Sequence, residues 1–85
     1  MPMSEVSREA VERVVREVLA VILPSVPADA ITGEKHLKDL GADSVDRVEI
    51  ILMLLDRLQI DEPMSTFSQV PNIDGLITLL HERCG

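Results

Sequence analysis

The chain has 85 residues, 46% of them hydrophobic with a single aromatic residue, which predicts one small domain with an aliphatic core. Its formal net charge of −7 argues against nucleic-acid binding, which needs a basic surface, and favours basic partners. With Cys84 as the only cysteine, no signal peptide and no apolar run of about 18 residues, we expect a cytoplasmic protein without disulfides or membrane spans.

The first predicted element is an amphipathic helix that ends before Pro24. Ser4 or Ser7 can cap its start. Its apolar residues recur at steps of three and four: Val6, Ala10, Val11, Val14, Val15, Val18, Leu19 and Ile22. Two acid–base pairs four residues apart fit its solvated face: Glu9 with Arg13, and Glu12 with Arg16.

Residues 24–43 have no periodic run long enough for a full helix, and they predict a long loop. The loop is interrupted by Pro24, Pro27, Gly33 and Gly41. We expect Leu37 and Leu40 to pin it to the core through a single helical turn. Such a loop would deliver the chain to Ser44.

A second helix is predicted from Ser44 to about Gln59, with Asp43 as its N-cap and Asp46 adding negative charge to its first turn. One apolar stripe contains Arg47, Ile50, Ile51, Leu54 and Leu58. A second stripe beside it contains Val45, Val48, Leu52 and Leu55. A small bundle can hardly bury all of this helix, so we expect part of it to face partners.

The last third of the chain predicts a short helix and a final long one. Pro63 breaks the chain, Ser65 can cap a short third helix over residues 65–70, and Pro71 breaks the chain again. Asn72 can then cap a last helix with an inner stripe of Ile73, Leu76, Ile77 and Leu80. No strand pattern occurs, so the predicted fold is all-α: a small bundle of three main helices and a short third one.

Ser44 is the residue most suited to chemistry. A hydroxyl at the start of a helix is exposed, rigidly held and close to the positive end of the helix dipole, which suits a phosphate ester. No Ser-His-Asp arrangement supports catalysis by the chain itself, so we expect no enzyme and no catalytic residue. His36 and His81 lack other ligand types at metal spacing, and we expect surface residues there and no metal site.

The block from Gly41 to Ile50 resembles the attachment site of acyl carrier proteins. In that family, the serine of an Asp-Ser-Leu-type motif carries 4′-phosphopantetheine. Here Asp43-Ser44-Val45 fills the motif, with valine in the leucine position. The order of elements also matches the acyl-carrier fold over nearly the whole chain, which implies a single carrier domain over residues 1–85.

The resemblance implies Ser44 as the attachment residue for a covalent 4′-phosphopantetheine derived from coenzyme A. A phosphopantetheinyl transferase would attach the arm, and acyl groups supplied by an acyltransferase would travel on it as thioesters. The resemblance further implies a monomer whose partner-facing positions surround the arm: Asp43, Val45, Asp46, Arg47, Val48, Glu49 and Leu52.

Within the family, residues 41–50 look like the free-standing carriers of bacterial polyketide β-branching cassettes. Those carriers hold a malonyl group that a decarboxylating ketosynthase converts to acetyl, for addition by an enzyme like hydroxymethylglutaryl-CoA synthase. Arg47 is the main residue that distinguishes this chain from fatty-acid carriers, which commonly have an uncharged residue at this position. Ile50 stands where branch-accepting carriers usually have tryptophan. The resemblance therefore favours a donor carrier of β-branching.

Three alternatives stay open. The chain can be a general fatty-acid carrier or another polyketide carrier, whereas Ala42 departs from the Gly-Gly-(Asp/His)-Ser pattern of peptidyl and aryl carriers. It can also be a non-carrier helical interaction domain that uses the exposed stripe of the second helix. Arg47, finally, can simply pair with Asp43 or with a carboxylate on another helix.

Overall fold

Three α-helices form the body of the protein in the computed structural model, which describes residues 7–67, 70 and 72–84. They are α1 (Arg8–Ile22), α2 (Ser44–Leu58) and α3 (Ile73–Cys84). Single 3₁₀ turns at Ala28–Ala30, Leu37–Leu40 and Met64–Thr66 lie in the connections. The described residues include no strand, and the predicted all-α class is confirmed.

Helix α1 starts and stops where local signals place it. The Ser7 hydroxyl accepts a hydrogen bond from the Ala10 amide at 3.1 Å, which confirms Ser7 as the cap. The other candidate cap, Ser4, and the apolar Val6 lie outside the described residues. At the far end the helix closes just before Pro24.

Of the two charge pairs predicted on α1, one forms an ion pair. Arg16 lies 3.6 Å from Glu12, whereas Glu9 and Arg13 form no ion pair in the described structure. Arg16 also donates to the carbonyl of Ala28 at 3.2 Å. The side chain thereby links α1 to the first 3₁₀ turn.

The core is aliphatic apart from Phe67, as the composition predicts. Its helical members lie on the predicted apolar stripes: Val11, Val15, Val18 and Leu19 of α1, Ile50, Ile51, Leu54 and Leu55 of α2, and Ile73, Leu76, Ile77 and Leu80 of α3. Helix α1 packs against both α2 and α3. Leu55 belongs to the second predicted stripe of α2 and is buried, because it lies on the side of that stripe nearest the core.

The long loop between α1 and α2 is tied to the start of α3. The amides of Ile73 and Asp74 donate to the carbonyls of Lys35 and Gly33, both at 2.9 Å. These bonds satisfy two amides that a helix start leaves without intrahelical acceptors. Buried Leu37 confirms the predicted anchoring turn, which fixes the chain just before Ser44.

The short third helix predicted over residues 65–70 is confirmed only as a single turn, and the predicted cap at Ser65 is wrong. The structure has a 3₁₀ turn at Met64–Thr66, and its preceding residue is Pro63, with no side-chain cap. The proline φ of −68° already sets the turn, and the fully buried Phe67 ends it by entering the core. Ser68, Gln69 and the predicted breaker Pro71 lie outside the described residues.

Helix α3 begins as predicted. The Asn72 side-chain oxygen accepts a hydrogen bond from the Gly75 amide at 2.8 Å, which confirms the cap. Among the helices that the structure describes, none combines the length and apolarity needed to cross a bilayer.

Candidate functional site

The turn before α2 sets the position of Ser44. Gly41 has a φ of +91°, in the left-handed region that favours glycine, and it closes the second 3₁₀ turn. The next amide, of Ala42, donates to the Leu37 carbonyl at 3.2 Å, and the Ala42 side chain is buried. The chain therefore enters α2 from a fixed point.

Asp43 and Asp46 cap α2 reciprocally. The Asp43 carboxylate accepts from the Asp46 amide at 2.8 Å, and the Asp46 carboxylate accepts from the Asp43 amide at 3.3 Å. This is a capping box built from two aspartates. The predicted cap is confirmed, and Asp46 has a second role beyond its charge.

Ser44 is the first residue of α2, and its side chain is exposed. The amides of Ser44 and Val45 lie in the first turn, where a helix offers them no acceptor. The positive end of the helix dipole lies at the same point. These features fit a phosphodiester on the Ser44 oxygen, so the residues present are compatible with a phosphopantetheine arm.

Beyond Ser44, α2 presents an apolar strip to solvent, which we call the exposed α2 face. It consists of Val45, Val48 and Leu52, which are 62%, 43% and 50% exposed. Glu49, also exposed, lies beside them. Apolar side chains clustered on an otherwise acidic protein are typical of a docking surface.

A cleft of about 400 Å³ opens beside Ser44. It lies between the second 3₁₀ turn, the first half of α2, the third 3₁₀ turn and the start of α3. Its walls are formed by His36, Leu37, Ser44, Arg47, Val48, Ile51, Met64, Ser65, Phe67, Val70, Asn72 and Leu76. Most of these side chains are apolar, as in ligand pockets of this size.

Arg47 lines this cleft and does not belong to the exposed α2 face. Its side chain is half-buried, and its Nε is buried without a hydrogen-bond acceptor. The predicted alternative of an ion pair with Asp43 or another carboxylate is not found among the described residues. The predicted stripe that contains Arg47, Ile50 and Leu54 agrees with this half-buried position, and the partner-facing role of Arg47 stays a prediction.

His36 is a cleft residue that sequence reasoning missed. Its Nδ1 accepts a hydrogen bond from the Lys38 amide at 3.0 Å, and its own amide donates to the Asp39 carboxylate at 3.0 Å. The three-residue spacing from His36 to Asp39 equals that from Asp43 to Asp46, and this was the available signal. We expected a surface histidine and find a half-buried one that caps the second 3₁₀ turn.

The described part of the chain holds no group of three or more histidine, cysteine, aspartate or glutamate residues suited to a metal ion. His81 is half-buried on α3, remote in sequence from His36. The side chain of Cys84 lies outside the described residues.

Comparisons with known proteins agree on one family. The sequence profile described as "phosphopantetheine attachment site" matches residues 9–80. A polyketide biosynthesis acyl-carrier-protein, AcpK of Bacillus subtilis (strain 168), is 40% identical over 62 residues, which are 73% of this chain and 76% of that protein. An acyl carrier protein of Campylobacter jejuni (strain RM1221) is 36% identical over 67 residues, 75% of this chain and 87% of that protein.

A larger protein contains a similar stretch. L-2-aminoadipate reductase of Saccharomyces cerevisiae is 36% identical over 63 residues, which cover 74% of this chain and 4% of the reductase. The similarity to that enzyme is therefore confined to a small segment of it.

Proposed function

This chain belongs to the phosphopantetheine attachment site family and is an acyl carrier protein, and on that premise we propose that Ser44 bears its 4′-phosphopantetheine. Acyl carrier proteins are carriers and not enzymes. As an acyl carrier protein it interacts with a phosphopantetheinyl transferase and with acyltransferases or ketosynthases. The bound arm supplies a terminal thiol on which acyl groups are held as thioesters.

One observation supports Ser44 most: its exposed hydroxyl stands at the first position of α2, between the exposed α2 face and the cleft. On loading, the Ser44 oxygen forms a bond to the pantetheine-bearing phosphorus of coenzyme A. The pyrophosphate bond breaks, the adenosine bisphosphate leaves, and the transferase takes the hydroxyl proton. The capping box holds Ser44 in place, and the first-turn amides favour the new phosphodiester.

The exposed α2 face supports the docking of partner enzymes. Val45, Val48 and Leu52 form its apolar part, while Asp43 and Glu49 add negative charge that attracts basic surfaces. Asp46 is half-buried, since its carboxylate is engaged in the capping box. A non-carrier interaction domain would use the same face, but family membership favours the carrier.

We further assign the carrier to polyketide biosynthesis in the cytoplasm, as the malonyl or acetyl donor of β-branching. The similarity to a polyketide carrier of Bacillus subtilis supports the polyketide role. Arg47 supports a β-branching carrier over a fatty-acid carrier, and Ile50, with no tryptophan in α2, supports the donor over the acceptor. The proposed partners are a decarboxylating ketosynthase and an enzyme like hydroxymethylglutaryl-CoA synthase.

Mass spectrometry tests the attachment site. Incubation with a phosphopantetheinyl transferase and coenzyme A should add the mass of one arm to the wild-type protein and none to Ser44→Ala. Ser25→Ala, which alters an exposed serine of the long loop, should accept one arm as the wild type does. A wild-type protein that stays unmodified while a control carrier is modified contradicts the proposal.

Reconstitution tests the donor role. Malonyl- or acetyl-loaded protein should transfer acetate in the presence of the ketosynthase and a β-branching synthase. A fatty-acid carrier loaded in the same way should be a much poorer donor. Equal transfer from both carriers would remove the specialised role and leave that of a general acyl carrier.

A further inference from the structure

The cleft beside Ser44 differs in charge from the rest of the protein. The chain carries 15 acidic and 8 basic residues, yet the described walls of the cleft contain Arg47 and His36 and no aspartate or glutamate. The remaining walls are apolar or neutral. Water screens charges less in an apolar cleft than at an open surface. A cationic group there therefore attracts an anion more strongly.

Arg47 has a donor that the fold leaves unused. Its Nε is buried and finds no acceptor, and the guanidinium forms no ion pair with a described residue. By contrast, four other arginines face a carboxylate: Arg8 with Asp74, Arg16 with Glu12, Arg57 with Glu17, and Arg83 with Glu62. A buried donor without a partner is unfavourable, so this position is suited to a ligand that brings the acceptor.

His36 adds a second donor to the same cleft. Because its Nδ1 accepts a hydrogen bond from the Lys38 amide, the neutral ring carries its proton on Nε2. The capping bonds also fix the backbone of His36. The cleft thus combines a planar cation with a second hydrogen-bond donor.

We propose that Arg47 and His36 make this cleft a binding site for the free carboxylate of a carboxylated acyl group, of the malonyl type, carried by the protein itself. The proposal rests on attachment at Ser44, which lies on the same wall of the cleft, three residues before Arg47. A guanidinium binds a carboxylate through two parallel hydrogen bonds, and one of its donors here is the buried Nε. A neutral acyl group offers no such partner, so the cleft discriminates by charge.

The volume suits this assignment. About 400 Å³ is ample for a short acyl group. Leu37, Ile51 and Leu76 line the cleft and can contact its methylene carbon. The Nε of Arg47 is buried, whereas a phosphate on the exposed Ser44 oxygen would lie at the edge of the cleft. The geometry therefore favours a carboxylate inside the cleft over the phosphodiester as the Arg47 ligand.

Nuclear magnetic resonance of the arginine Nε–H groups tests this assignment directly in the wild type. Four forms are compared: apo, holo, malonyl-loaded and acetoacetyl-loaded, with amide-linked analogues in place of the labile thioesters. Acetoacetyl matches malonyl in size and lacks the charge. Only in the malonyl form should the chemical shift of the Arg47 Nε–H group change and its proton exchange more slowly with water.

Thermal unfolding gives a second readout. The malonyl form should melt about 4 °C or more above the acetoacetyl form, since that shift corresponds to one added charged hydrogen bond in a domain of this size. Arg47→Gln should abolish the difference. Arg13→Gln, which removes the other unpaired described arginine from the exposed face of α1, should retain it.

The outcomes separate the two proposals. A chain that takes no arm overturns both. Correct loading with identical Arg47 signals in the malonyl and acetoacetyl forms overturns only the carboxylate site. A signal that moves fully between apo and holo, without further change on malonyl loading, also overturns it and makes the arm's phosphate the ligand of Arg47.

Discussion

The carboxylates of Asp43 and Asp46 each accept a hydrogen bond from the other residue's amide, at 2.8 and 3.3 Å, across the start of α2. Ser44 lies between them in sequence, so the residue proposed to carry the arm is enclosed by a reciprocal cap. Both aspartates are thus committed to local structure, and their negative charge is partly balanced by helix amides.

Asp43→Ala should lower the free energy of unfolding by about 1 kcal/mol, because the Asp46 amide loses its acceptor. Asp43→Asn keeps a side-chain oxygen and should retain nearly all of the stability. Urea denaturation measures both. The control is Asp56→Ala, an exposed carboxylate in the last turn of α2, whose loss should leave stability unchanged or slightly higher.

The same asparagine variant separates the cap from partner recognition. Asp43→Asn should fold like the wild type. If the charge of Asp43 contributes to docking, this variant should accept the arm more slowly. The rate of loading by a phosphopantetheinyl transferase is the measurement. A wild-type rate for this variant would limit Asp43 to a structural role.

Gly41→Ala should cost about 1–2 kcal/mol, because its φ of +91° is unfavourable for a residue with a Cβ. No described atom outside residues 40–42 lies within 4 Å of the added carbon, so the cost arises from the backbone alone. Gly41→Asn should cost less, since asparagine enters this region more readily. Equal losses from alanine and asparagine in urea denaturation would point to another cause.

Gly33→Ala should be destabilising for a different reason. A Cβ there would overlap the carboxylate of Asp74, whose amide donates to the Gly33 carbonyl. The clash is with a side chain, so Asp74→Ala should relieve it. The double variant should lose less stability than the sum of the single losses. Strict additivity would rule out the overlap as the cause.

The features of this structure that could be predicted from the sequence depend on residues within about one helical turn of each other. Ser7, Asp43 and Asn72 cap the three helices because each offers a side-chain oxygen before an apolar periodic run. The anchoring role of Leu37 follows from its spacing to Leu40, since the two leucines are three residues apart and enclose the charged Lys38 and Asp39. These signals need no knowledge of distant residues.

The parts that could not be predicted depend on distant segments meeting. The cleft is assembled from two 3₁₀ turns and two helices, so no local pattern shows that His36 and Arg47 line it together. The turn at Met64–Thr66 is too short for periodicity, and burial of Phe67 decides its end. The half-buried position of Arg47 agrees with its predicted stripe, which it shares with the core residues Ile50 and Leu54.

Leu52 and Leu54 form a matched pair for separating docking from stability. Leu52 is 50% exposed on the exposed α2 face, and Leu54 is fully buried two residues away. Leu52→Ala should change the free energy of unfolding by no more than about 0.5 kcal/mol, whereas Leu54→Ala should cost about 2–5 kcal/mol.

Loading kinetics complete that comparison. If the exposed α2 face docks partners, Leu52→Ala should reduce kcat/KM for the transferase through lost apolar contact. Ala20→Ser, a change on the exposed side of α1, should leave loading unaffected. A wild-type kcat/KM for Leu52→Ala would move the docking surface elsewhere.

Phe67 is the one ring in the core, and it also forms part of the cleft wall. Phe67→Ala should cost about 3–5 kcal/mol, a large share of the total stability of a domain this small. Phe67→Leu keeps more of the volume and should leave a folded protein with a wider cleft. Urea denaturation should rank wild type, Phe67→Leu and Phe67→Ala in that order, while Val21→Ala, on the solvent side of α1, stays within about 0.5 kcal/mol of wild type. The ring ends the 3₁₀ turn at Met64–Thr66 by entering the core. A loss of unfolding free energy no larger than that of Val21→Ala would therefore contradict the packing described for this turn.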